Sequence, residues 1–150
     1  YGQSIPLVAV GSLDSLVEVA REDYEAGIVD VENWGDATLC PMIDARRMEV
    51  YAQVFDNQGQ ALSDVAAEVV DAESFKKWRE EGKLIIFGNG AAKCSEVLGD
   101  ALLVSVAPSA RGIVALAEEA FNAGKFEDLA YFEPFYLKDF IVIPSKKKLL

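Results

Sequence analysis

The stretch that decides the fold covers residues 38–55 and reads TLCPMIDARRMEVYAQVF. Its first half, up to Asp44, is almost wholly apolar, which is typical of a strand buried on both faces. Along its second half, apolar and mostly polar sets of residues alternate, as they do along a strand with one buried face. These sets are Met48, Val50, Ala52 and Val54, and Glu49, Tyr51, Gln53 and Phe55. We therefore predict two antiparallel strands joined by a short turn.

The residues after this hairpin extend it into a mixed sheet. Turn residues at 56–59 and an extended run at 61–70 predict a third strand, so the first three strands form an antiparallel meander. Two more strands, at 84–87 and 102–106, are separated by a helical stretch, which favours parallel pairing because parallel neighbours need a crossover. Helices are predicted over 71–82, 90–99 and 108–124, the last with Ile113 and Phe121 facing inward. This order predicts an α/β fold of the ribonuclease H-like class, with helices on both faces of the mixed sheet.

The residues before the hairpin have a different pattern. Residues 5–10 are predicted to form a short buried strand, and residues 12–24 a helix with one apolar face. A polar, glycine-containing stretch at 27–36 follows and is the best candidate for a domain boundary. The apolar faces of residues 5–24 must pack either on the rest of the chain or on a second copy of it.

Composition excludes several classes of function. The chain has 25 acidic and 14 basic residues, a net charge of −11, and no histidine. It therefore contains no Ser-His-Asp or Cys-His catalytic site and no His-ligated metal site, and its charge disfavours direct binding to nucleic acid or an anionic membrane. Cys40 and Cys94 match no metal-binding or redox spacing, so we expect buried reduced thiols. No apolar run is long enough to span a bilayer, and we expect a cytoplasmic protein.

The charged residues at 44–49 form the first candidate site. One interpretation uses Asp44 as a carboxylate beside a metal ion or a phosphate group. The other interpretation, which the spacing favours, is a tight hairpin held by an Asp44–Arg46 or an Arg47–Glu49 ion pair. The second interpretation needs no ligand.

Two further stretches have both a binding and a structural interpretation. Gly88-Asn89-Gly90 would let backbone amides approach a phosphate, so Gly88 and Gly90 are weak candidates for a nucleotide site. A glycine turn that packs a helix against a strand is the favoured alternative, because the third glycine of a dinucleotide loop and the lysine of a P-loop are missing. The aromatic residues of 131–138 are interpreted as closing the core over the sheet edge, with a partner-binding surface as the alternative.

Three stretches of the chain together resemble one protein family. They read IPLVAVGSL at 5–13, IDARRMEVY at 43–51 and EPFYLK at 133–138. Their order and spacing are similar to those of the TsaB (YeaZ) family of bacterial tRNA threonylcarbamoyladenosine biosynthesis proteins, formerly classed as glycoprotease-like. The resemblance extends over nearly the whole chain. One departure is Met48, which stands where the family usually has glycine.

The resemblance implies a fold and a division of the chain. The family belongs to the actin-like ATPase superfamily, whose members have two ribonuclease H-like lobes. Residues 1–35 would then be the end of an N-terminal lobe whose remainder is absent, and residues 36–150 the C-terminal lobe. The residues that match the family's motifs are expected to have a structural or interface role and no catalytic one. They are Asp44, Arg46, Glu49, Tyr51, Glu133, Tyr136 and Lys138.

The resemblance also implies a function and partners. The chain is expected to be a non-catalytic scaffold for a TsaD-like protein, which transfers the threonylcarbamoyl group to adenosine 37 of tRNA, and a TsaE-like protein joins the pair. A homodimer is a further expected assembly. No cofactor or metal is expected for this chain alone, and ATP or ADP with Mg²⁺ only together with the partner subunit. The alternative is a nucleotide-binding phosphotransferase or ATPase lobe of the same superfamily, and a glycoprotease is the last choice.

Overall fold

The predicted hairpin lies at the centre of a six-stranded mixed sheet in the computed structural model, which describes residues 2–138. Strand β1 (Ala37–Asp44) is antiparallel to strand β2 (Glu49–Ala52). A two-residue strand, β3 (Phe55–Asp56), turns back and pairs with the start of β1. Strand β4 (Ala66–Val69) is antiparallel to β2 and forms one edge of the sheet. The antiparallel meander is therefore present, with β3 as an addition to it.

The other half of the sheet is parallel. Strand β5 (Lys83–Phe87) runs parallel to β1, and strand β6 (Leu102–Leu103) runs parallel to β5. The strand order is β4-β2-β1-β5-β6, with β3 paired to β1 beside this path. Because β1 and β5 point the same way, the residues that follow their carboxyl ends come together at one edge of the sheet.

Three α-helices accompany the sheet within residues 2–138. They are α1 (Ser12–Glu25), α2 (Lys76–Glu81) and α3 (Arg111–Asn122). Two short 3-10 helices, Trp34–Asp36 and Ala92–Cys94, precede β1 and follow β5. No helix in this described region of the chain is long and apolar enough to cross a membrane.

Two apolar clusters lie on the two faces of the sheet. Neighbouring residues of β1 and β5 belong to different clusters, because successive side chains of a strand point to opposite faces. The first cluster joins Leu39 and Ile85 to the apolar face of α1. The second cluster contains Cys40 and Ile86, and Trp78 of α2 packs against it. The alternating apolar set predicted from the sequence lies in or against this second cluster: Met48, Val50, Ala52 and Val54.

Helix α3 packs on α1. Its residue Gly112 lies so close to α1 that a Cβ atom there would come within 2.7 Å of Val19 Cγ2. Arg111, at the start of α3, donates to Asp23 Oδ1 of α1 at 2.6 Å. Because the glycine forms the contact face, Ile113 and Phe121 are exposed, and the prediction that they face inward is wrong.

Residues 5–10, predicted as a buried strand, form no strand in the described structure. Leu7 makes one isolated bridge with Glu127, and the side chain of Ile5 is 61% exposed. A strand needs a neighbour that satisfies its backbone groups, and here that neighbour is a single residue. The helix that follows nevertheless forms as predicted and packs on the sheet of the same chain.

The helix predicted over 71–82 forms only over Lys76–Glu81, and three other elements are also shorter than predicted. Of the run 61–70 only Ala66–Val69 pairs with β2, and of 102–106 only Leu102–Leu103 pairs with β5. Of the helix predicted over 90–99, only the 3-10 turn Ala92–Cys94 forms. The two strands lie at the two edges of the sheet, where fewer neighbours extend a local preference.

Candidate functional site

The turn between β1 and β2 is closed by backbone hydrogen bonds. The Ala45 amide donates to the Glu49 carbonyl at 3.0 Å, and the Glu49 amide donates to the Arg46 carbonyl at 2.9 Å. The Arg46 amide donates to Oδ1 of Asp44 at 3.4 Å. The tight hairpin is therefore held first by its own backbone.

Lys93 fastens this hairpin from outside. It belongs to the 3-10 helix after β5, and its ammonium group forms an ion pair with the Asp44 carboxylate. The same Nζ atom donates to the Glu49 carbonyl at 2.7 Å, so one lysine holds both strands. The hydrogen bond from Lys93 is the main cause that lowers the pKa of Asp44 below its ordinary value. Lys93 is not among the candidate site residues that were predicted from the sequence. The one signal that could have indicated it is the parallel pairing of β1 and β5, which brings the residues after their carboxyl ends together.

Glu49, the second carboxylate of the motif, pairs with Lys138. This ion pair ties the C-terminal segment of the described chain to the hairpin. The predicted Asp44–Arg46 and Arg47–Glu49 ion pairs are wrong, because the two carboxylates bind lysines that lie 49 and 89 residues away. Spacing along the sequence can indicate ion pairs only between residues that are close together in the chain.

The turn Gly88-Asn89-Gly90 packs against the carboxyl end of β1. Gly88 has a φ of +96°, and a Cβ atom there would lie 2.5 Å from the carbonyl oxygen of Met42. A Cβ atom on Gly90 would lie 2.9 Å from the amide nitrogen of Asp44. The Gly90 amide donates to the Met42 carbonyl at 3.0 Å, and Asn89 Oδ1 accepts from the Asp44 amide at 2.9 Å. Close backbone approach accounts for glycine at both positions.

A pocket of about 430 Å³ lies beside this turn, next to the carboxyl ends of β5 and β6. Its lining contains the polar side chains of Asn89 and Ser105 and is otherwise glycine, proline and aliphatic residues. Among residues 2–138, no cationic side chain lines it. A phosphate group in this pocket would therefore find no counter-charge among these residues.

A cleft of about 610 Å³ lies between the start of α1 and the C-terminal segment. Ile43 and Tyr51 of the sheet and Glu133 and Phe135 of the segment are among its lining residues. Tyr51 and Glu133 are thus the motif residues that line the cleft. The other motif residues surround the neighbouring hairpin or, in the case of Tyr136, face solvent.

The segment 131–138 presents its aromatic side chains to solvent. The exposed fractions are 85% for Tyr131, 78% for Phe135 and 74% for Tyr136. The prediction that these aromatics close the core over the sheet edge is therefore wrong, because their side chains are largely exposed. The alternative of a partner-binding surface stays a prediction.

Arg46 and Arg47 have unusual backbone conformations. Their φ angles are +96° and +45°, in the region that favours glycine, and both side chains are exposed. Met48, at the family's usual glycine position, is not among the positive-φ residues of the described chain. Its carbonyl accepts from the Val70 amide at 2.8 Å, and its side chain packs against the second cluster. The strain of the turn is therefore carried by the two arginines.

The cysteines are remote from solvent. Cys40 and Cys94 are free and buried, and burial raises the pKa of both thiols. This environment disfavours thiolate chemistry. Over residues 2–138, no group of three His, Cys, Asp or Glu side chains is arranged to hold a metal ion.

Two solved structures have a similar fold. An uncharacterized protein with similarity to the peptidase YeaZ from Pseudomonas aeruginosa superimposes with a TM-score of 0.58, and YeaZ from Pseudomonas aeruginosa with a TM-score of 0.56. In both cases the identity is 21%, and the match covers 91% of this chain and 61% of the other. No protein-family profile matches the chain, and no curated protein matches its sequence.

These matches define the class of fold as mixed α/β, with helices on a mixed sheet. More particularly, the fold is that of YeaZ, and this chain spans 61% of the length of the two solved proteins. The resemblance that the sequence motifs indicated is thereby confirmed as a likeness in fold.

Proposed function

We propose that the chain is a TsaB-like scaffold, a non-catalytic subunit that supports threonylcarbamoylation of adenosine 37 of tRNA by a TsaD-like partner. A TsaE-like protein would join the pair. In this proposal residues 1–35 are the end of an N-terminal lobe, and residues 36–150 are a ribonuclease H-like lobe of the actin-like superfamily. The protein would act in the cytoplasm and would bind nucleotide only together with its partner.

The observation that supports this proposal most is that, in a YeaZ-like fold, the charged residues of the motif form ion pairs that stabilise the hairpin. The Asp44 and Glu49 carboxylates are engaged by Lys93 and Lys138 and brace the hairpin. A motif that braces one surface of a fold suits a subunit whose task is to present that surface to another protein. The exposed aromatic residues of 131–138 are of the type that anchors protein interfaces.

The pocket beside Gly88 favours a second candidate, a nucleotide-binding phosphotransferase or ATPase lobe. It lies next to the carboxyl ends of two parallel strands, where ligands bind in open α/β sheets. Against this candidate, the Gly90 amide already donates to the Met42 carbonyl, and no cationic side chain of residues 2–138 lines the pocket. We therefore favour the scaffold.

A depletion experiment tests the proposal in the cell. We expect depletion of the protein to lower the threonylcarbamoyladenosine content of total tRNA, measured by mass spectrometry of nucleoside digests. The purified protein is expected to capture the TsaD-like protein of the same cell. Unchanged tRNA after depletion would contradict the proposal.

A turnover assay separates the rival functions. The purified protein alone, with ATP and Mg²⁺, is expected to release no phosphate above a blank. Turnover that the Asp44→Asn variant abolishes would instead support the phosphotransferase or ATPase lobe. A general protein substrate is expected to stay intact after long incubation with the purified protein. Cleavage of this substrate would instead support the glycoprotease interpretation.

A further inference from the structure

The two arginines of the hairpin, Arg46 and Arg47, form what we name the arginine tip. Both side chains are exposed, and both backbones have positive φ angles. Glycine at these positions would avoid the steric cost that a Cβ atom brings there. The chain therefore has two long cationic side chains at positions where the backbone conformation favours glycine.

The arginine tip is a local positive charge on an acidic protein. Lys93 and Lys138 also lie at this hairpin, but their charges are balanced by Asp44 and Glu49. The ion pairs of the described residues include neither Arg46 nor Arg47. The chain as a whole carries a net charge of −11, so the charge of the tip is opposite in sign to that of the chain.

The backbone of the tip is held in place before any partner arrives. The Glu49 amide donates to the Arg46 carbonyl at 2.9 Å, and Lys93 ties both strands below the turn. A guanidinium on a fixed backbone loses less freedom when it binds than one on a flexible loop. Two neighbouring guanidinium groups match two carboxylates, each through a pair of parallel hydrogen bonds.

We propose that the arginine tip binds an acidic segment of a partner protein through at least two of its carboxylates. A short acidic peptide fits a cationic patch of two residues. RNA fits it less well, because a long polyanion would extend beyond the screening distance of about 8 Å onto an acidic surface. The proposal stands on the hairpin alone and does not require the tRNA-modification role.

An NMR titration with a hexaglutamate peptide tests this inference. The ¹⁵N-labelled chain is expected to show saturable shifts of the Arg46 and Arg47 amides that weaken as salt is added. In an R46G/R47G variant we expect at least tenfold weaker binding and a thermal midpoint that does not fall, since strain is relieved. In a K77A/K125A variant, which loses the same two charges elsewhere, affinity is expected to stay within twofold.

Several results would overturn the inference. They are an absence of saturable shifts in the unaltered chain, equal weakening in the K77A/K125A control, and a fall in the thermal midpoint of R46G/R47G. A hexauridine RNA that shifts the same amides at lower concentration than the peptide would also overturn it, in favour of a nucleic-acid surface. Dispersed spectra of both variants would show that the comparison is made between folded proteins.

Discussion

The hairpin at 43–51 and the segment at 131–138 both carry the family resemblance, yet the structure uses them in opposite ways. The hairpin has its carboxylates paired, its turn hydrogen-bonded and the inward side chains of its strands packed in the core. The segment leaves Phe135 and Tyr136 mostly exposed. Two sequence motifs can therefore have different structural origins. The hairpin motif fixes a backbone conformation, whereas the motif in the segment places aromatic side chains on the surface.

This difference predicts how the two regions respond to substitution. Changes around the hairpin should alter the free energy of unfolding, because backbone contacts with Gly88 and Gly90 are lost or strained there. Changes in the segment should alter binding and leave folding almost untouched, because exposed side chains contribute little to stability. The four test variants below, each with its own control or contrast, are ordered by their expected effect on stability.

The largest effect is expected for Gly88→Ala. Its Cβ atom would meet the Met42 carbonyl on a backbone with a φ of +96°, so strain and overpacking add to about 3 kcal/mol of lost stability. Gly124→Ala is the matched control, because Gly124 also has a positive φ, +67°, but no atom within 4 Å of its Cβ position. The control should lose about 1 kcal/mol. Urea denaturation measures both, and equal losses would mean that the close approach contributes nothing.

A smaller loss is expected for Met48→Gly, which introduces the residue usual at this position in the family that the sequence resembles. Met48 has no positive φ, and its side chain packs against the second cluster, so the variant should lose about 1–2 kcal/mol. Arg47→Gly, one residue away at a φ of +45°, should lose nothing. Urea denaturation curves of the Met48→Gly and Arg47→Gly variants measure the two changes in the free energy of unfolding. A stabilised Met48→Gly variant would place the strain of the turn at residue 48.

Lys93→Met should have a still smaller effect, and one that depends on pH. Lys93 lowers the pKa of Asp44, so the ion pair stabilises the folded state above the ordinary carboxyl pKa. This contribution is lost as the pH falls through the lowered pKa, below about 4. We therefore expect the variant to melt below the unaltered chain at pH 7 and the gap to narrow toward pH 3. A gap of constant size would show that Lys93 acts only through its bond to the Glu49 carbonyl.

The hairpin and the mixed antiparallel and parallel pairing of the sheet were predictable because each rests on a local or topological signal. The period of two over 48–54 indicates a strand with one buried face. The predicted helical stretch between 84–87 and 102–106 provides the crossover that two parallel strands need. Both signals depend on residues close together in the sequence. The mixed sheet follows from them.

The regions that were mispredicted depend on contacts between distant residues. Lys93 lies 49 residues from Asp44, and no spacing rule links them. Residues 5–10 have the apolar pattern of a strand, but a strand also needs a neighbour, and Leu7 has one bridge. The aromatic residues near Phe135 look like core residues in the sequence because composition does not show which side of a segment the body covers.

The smallest effect on stability is expected for a Phe135→Ser, Tyr136→Ser double variant. Both side chains are more than 70% exposed, at 78% and 74%, so the free energy of unfolding should change by about 0.5 kcal/mol or less. If the segment is a partner surface, the same variant should lose capture of the TsaD-like protein, because exposed aromatics anchor interfaces. Leu103→Ser, at another exposed apolar position, is the control for a general loss of surface hydrophobicity. A double variant that captures its partner normally would move the binding surface away from this segment, and one that unfolds would show that the aromatics pack after all.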